Sequence, residues 1–107
     1  MGRILGLLAG LTIAAQIGPA TAQFMQTMSE AMERMDRQMK GAPMNGNADH
    51  DFASMMIPHH KGAIDMAKAE LLYGKDPVMR RLAQEIVIDQ QSEIDAMRLW
   101  LGRQKEK

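Results

Sequence analysis

Methionine and histidine are the side chains of this sequence whose type and spacing could do chemistry. On a helix turning 100° per residue, Met55, His59 and Met66 fall within about 40° of one another. Met56 and His60 repeat the four-residue step about 100° further round. Thioether and imidazole donors suit copper, and soft sulfur favours Cu(I). A thioether has no proton to lose near neutral pH and, unlike a thiol, does not cross-link in an oxidising compartment. Its weakness is oxidation to the sulfoxide. The same spacing equally builds a core, because methionine fills irregular helical interiors. His59 and His60 are adjacent and diverge on a regular helix, so if one is a ligand the other is a surface or second-site residue.

Composition removes several function classes. The 107 residues contain no cysteine, three histidines and 12 methionines. Without cysteine there are no disulfides, thiolate zinc sites or cysteine nucleophiles. Thirteen basic residues balance 13 acidic ones and aromatics make up 4%. A nucleic-acid binder needs a basic footprint or a stacking platform, so no nucleic-acid partner is expected. H-E-x-x-H, G-x-S-x-G and phosphate-cradling loops are absent. No glutamate precedes a histidine at the Glu-x-x-His spacing of di-iron bundles. The expectation is therefore a protein that is not an enzyme.

The elements that would position these residues follow from pattern. Arg3, the apolar run over residues 4–15 and Ala20-Thr21-Ala22 read as a signal peptide over residues 1–22, cut after Ala22. The run is short for a membrane span, so no stable span is expected after cleavage. The chain is expected to be exported, to the periplasm if the source is bacterial. Removing 22 residues leaves 85, enough for one small domain.

A methionine-rich helix is predicted over residues 23–40. Met25, Met28, Met32, Met35 and Met39 step by three and four, an a/d seam with methionine in every slot. The seam reads as a core or dimer contact, or as an additional metal-binding stripe. Glu30 and Arg34, Glu33 and Arg37, and Asp36 and Lys40 form i,i+4 pairs with the acid first.

Residues 41–48 read as a flexible linker, 49–102 as a helical hairpin and 103–107 as a tail. Pro58 is expected to kink or restart the second helix. Asp76-Pro77 opens the third, and Gly102 is its expected stop just after Leu101. A connection of about three residues makes the two helices antiparallel. Setting Tyr73 against Met79 then brings Met97 near Met55, and Glu93 near His59, where its carboxylate would orient the imidazole.

The run from Asp49 to Ala67 contains M-x-x-H-H-x-x-A-x-x-M-A, and the run from Gln90 to Leu101 contains Q-x-x-E-I-x-x-M-x-x-W-L. Together they resemble the signature of the family called domain of unknown function 305. The resemblance implies an exported, ferritin-like helical bundle, with copper held by methionine and histidine in some members, where it serves copper tolerance. The matching positions are Met55, His59, His60, Met66 and Met97. The methionine seam of the first helix lies outside the shared motif. A single copy of the hairpin implies a four-helix bundle completed by a dimer.

The expectation is thus an all-α chain, an antiparallel hairpin plus a methionine-rich N-terminal helix. Its function would be copper buffering, tolerance or hand-over, through Met55, Met56, His59, His60, Met66 and Met97. Glu93 would stand behind these ligands, and Met25, Met28, Met32, Met35 and Met39 would be additional ones. The partners would be a copper ion, a second copy and exported copper-handling proteins. The rival reading is a non-catalytic helical interaction module that dimerises through the methionine seam of the first helix.

Overall fold

The computed structural model describes residue 2 and residues 17–106, and their regular structure is entirely helical. Three helices follow in order: α1 (Pro19–Lys40), α2 (Ala48–Tyr73) and α3 (Pro77–Gln104). The signal-peptide expectation covers residues 1–22, of which 1 and 3–16 lie outside the described residues.

Local chemistry explains where the helices begin. Gly18-Pro19, which looks like a break in the sequence, opens α1 instead. Pro19 occupies the start of the helix, where a missing N–H costs nothing and its fixed φ suits the turn. Asn47 caps α2 by accepting the His50 N–H at 3.0 Å, and Asp49 and Asp51 add negative charge to the first turn. Asp76 accepts the N–H groups of Val78 and Met79 and so caps α3.

Three local expectations change. α2 runs unbroken through Pro58, which is buried. α3 passes Gly102 and continues to Gln104. Leu101 and Gln104 line a groove with Pro43, Asn45 and Ser54, so the last turn of α3 lies beside the loop before α2. Residues 41–47 form a tied loop where a flexible linker was expected. The Asp51 carboxylate accepts the N–H groups of Asn45 and Gly46, and Ser54 Oγ donates to the Pro43 carbonyl at 2.6 Å. Gly46 supplies the positive φ, 85°, that this turn requires.

α1 and α3 each pack on α2 and not on one another. The four-helix bundle expected from the hairpin is therefore corrected to three helices with α2 in the middle. The residues buried in the seams are small. Among the described residues the buried apolar set is Ala31, Ala53, Ile64, Ala67, Ala69, Ala83 and Ile94, five of the seven being alanine. Alanine lets helix axes approach closely but removes little apolar area from water. Ile94 is the large side chain that is fully enclosed.

α1 is seated through a glycine. A Cβ on Gly62 would stand 2.5 Å from Met35 Sδ and 2.8 Å from Met35 Cβ, so the Met35 stem occupies the space that a side chain would take. Arg34 bonds Asp65 across the seam at 3.0 Å, and Phe24 meets Tyr73 edge to face at 6.3 Å. Of the three i,i+4 ion pairs expected on α1, Asp36 with Lys40 forms at 2.8 Å, while Arg34 turns to α2 instead.

Candidate functional site

The hairpin register lies one residue from the expected one, and that residue matters. Glu93 meets His60 Nε2 at 2.5 Å, where His59 was expected. One step along a helix turns a side chain by 100°, so the change moves the carboxylate contact to a different face. His59 is exposed, and His60 is turned inward against α3. Its other nitrogen, Nδ1, is buried with no hydrogen-bond partner among the described residues. An orphaned polar atom of this kind costs on the order of 1–3 kcal/mol.

Two of the candidate metal ligands, Met66 and Met97, do not converge. Met97 lies in a groove with Phe52, Ala53 and Trp100, whereas Met66 lies in a second groove with Ala63 and Met79. Phe52 and Met66 are 14 residues apart on α2, about 21 Å along its axis. A single ion does not span that distance. Met55 and Met56 are half-buried on α2. Among the described residues no group of three or more His, Asp or Glu side chains is placed to hold a metal ion. The description of the chain as a copper-binding, metal-binding protein of copper homeostasis is corrected accordingly.

The methionine seam of α1 divides in two. Met28, Met35 and Met39 are half-buried and Ala31 between them is buried, so this edge faces α2. Met25 and Met32 remain 53% and 47% exposed. They are seven residues apart, close to two turns, and share one face. On α3, Met79 and Leu82 are about half exposed at the edge of the Met66 groove. Arg80 closes that end of the hairpin by donating to the carbonyls of Leu71 and Gly74.

Two features escaped the sequence reading. Gly62 sits inside the recognised motif, at a position treated as a spacer, and its role appears only with Met35 above it. Asn47 lies in a run of turn-forming residues, and its capping function could be read from its position three residues before His50.

None of the described helices is long and apolar enough to cross a membrane. A 57-residue stretch is 42% identical to uncharacterized protein L153 of Acanthamoeba polyphaga mimivirus. It covers 53% of this chain and 38% of that protein, so the chain spans well under half the length of this relative. The family described as domain of unknown function (DUF305) matches residues 4–101, which puts α1 inside the shared region and not outside it. The chain belongs to this family.

Proposed function

We propose that the chain is a non-catalytic helical interaction module, and that two copies pair through the outer methionine face of α1. The reading rests on one observation. Met25 and Met32 share a face and stay about half exposed, although their neighbours in the seam pack on α2. Methionine side chains suit such a contact because they are unbranched and adapt to the opposing surface. A mostly alanine core supports the reading, since a small chain with little buried area gains stability from oligomerisation. In this reading the histidines serve the hairpin, and export follows from the leader-like pattern of residues 1–22.

Sedimentation velocity of the full chain tests the proposal. The native protein is expected to sediment as a dimer, and Met25→Glu with Met32→Glu as a monomer of unchanged helical content. A native protein that stays monomeric at every concentration, or a double variant that remains dimeric, contradicts it.

A further inference from the structure

Two open apolar grooves run along the α2–α3 seam. One, of about 320 Å³, is lined by Ala63, Met66, Glu70, Met79, Leu82 and Ile86, among others. The other, of about 310 Å³, is lined by Asp49, Phe52, Ala53, Ala96, Met97 and Trp100. Their linings repeat along both helices. Phe52 and Glu70 are 18 residues apart on α2, and Met79 and Met97, like Leu82 and Trp100, are 18 apart on α3. Eighteen residues make five whole turns, so the members of each pair share a face and are separated by about 27 Å along the axis. Both grooves therefore open on the same side of the hairpin.

The charge that lines the two grooves has one sign. Each groove has a single charged lining residue, Glu70 in one and Asp49 in the other, and no lysine or arginine lines either. Neither carboxylate has an ion-pair partner among the described residues. Glu93, 57% exposed and bonded to His60, stands between the grooves on α3, about 20° round from Leu82.

We infer that this side of the hairpin seats an amphipathic helix of a partner protein, about 18 residues long, with apolar residues facing down and lysine or arginine along its flanks. A methionine-bearing groove accepts such a helix by side-chain adaptation, and the carboxylates select its charge. A second copy fits less well, because two such sides face to face bring like carboxylates together. This site is separate from the α1 pairing proposed above, which uses Met25 and Met32.

Trp100, the single tryptophan of the chain, lies in one groove and reports on occupancy. The full chain is titrated with an 18-residue amphipathic leucine/lysine peptide and with its leucine/glutamate counterpart. The lysine peptide is expected to shift Trp100 emission to shorter wavelength, saturably, and to bind at least tenfold tighter than the glutamate peptide. Met79→Gln with Leu82→Gln, at half-exposed positions, should abolish the shift while circular dichroism stays native. Asp49→Asn with Glu70→Gln should weaken binding at least threefold. Met25→Glu with Met32→Glu should leave it unchanged, which separates failure of this site from failure of the dimer. Equal binding of the two peptides, no saturable shift, or binding unaffected by the groove variants overturns the inference. So does a Trp100 shift that follows the concentration of the chain alone, which would place a second copy in the groove.

Discussion

The two flanks of α2 are filled in different ways. Against α1, a glycine receives a large side chain: Gly62 lies under the Met35 stem, and the Arg34–Asp65 ion pair and the Phe24–Tyr73 contact fix the register. Against α3, His60 bonds Glu93, the buried side chains on α3 are Ala83 and Ile94, and apolar grooves stay open beside the seam. One flank is closed at its middle by a knob in a hole and opens only at its end, in a groove beside Phe24 and Tyr73. The other brings the axes together and leaves part of its apolar surface wet. A stripe of apolar residues at helical spacing therefore does not say whether the stripe is covered.

The α2–α3 flank has one large enclosed side chain, so its energy should be concentrated there. Ile94→Ala is expected to destabilise the chain by about 2–5 kcal/mol. In a domain of this size that lowers Tm by roughly 10 °C or more. Thermal unfolding followed by circular dichroism measures it. A loss below about 1 kcal/mol would mean that the seam is held elsewhere.

The α1–α2 flank should respond to added volume. Gly62→Ala puts a methyl group into the Met35 stem and is expected to cost about 1–3 kcal/mol. Met35→Ala in the same chain should recover part of that cost, because it removes the clashing Sδ and Cγ and leaves only Cβ. Additive losses in a double-mutant cycle of urea melts would show that the two residues do not meet.

A smaller effect is expected at the loop that joins the flanks. The hydrogen bond from His50 and the N–H groups of Asn45 and Gly46 hold the Asp51 carboxyl below the ordinary carboxylate range. A depressed folded-state pKa stabilises the fold above the unfolded pKa, and the contribution disappears as pH falls through the folded value. Asp51→Asn should therefore lower Tm slightly at neutral pH, with the gap from the native chain closing in acid. A gap that is constant with pH would show that the carboxylate charge plays no part in holding the loop.

Much of the fold was legible in the sequence. The capping Asp76-Pro77 pair and the turn after Tyr73 specify an antiparallel hairpin, because their signals are local. The register came within one residue of the observed one, yet on a helix one residue is 100°, enough to pair Glu93 with His60 rather than His59. Helix ends failed where distant contacts decide. Gly102 reads as a stop in a free helix, whereas the last turn of α3 runs on beside the 41–47 loop. The expected meeting of Met66 with Met97 failed for a related reason. Met55, His59 and Met66 do share a side of α2, but a ligand set also needs its members at one height, and Met66 and Met97 belong to different grooves. The division of the α1 methionines was invisible because the repeat puts the same residue in every slot, and the α2 surface chooses between them.

The claim that two copies meet on the outer face of α1 is tested most directly by cross-linking, for which a chain without cysteine is well suited. A disulfide forms only when Cα atoms come within about 7 Å. Met25→Cys and Met32→Cys are oxidised separately and as a mixture, with Lys68→Cys, exposed on α2, as the control. A parallel pairing should give covalent dimers of each variant alone, and an antiparallel one should give dimers mainly in the mixture, with the control staying monomeric in either case. Covalent dimer that forms no faster at positions 25 and 32 than at position 68 would contradict the interface.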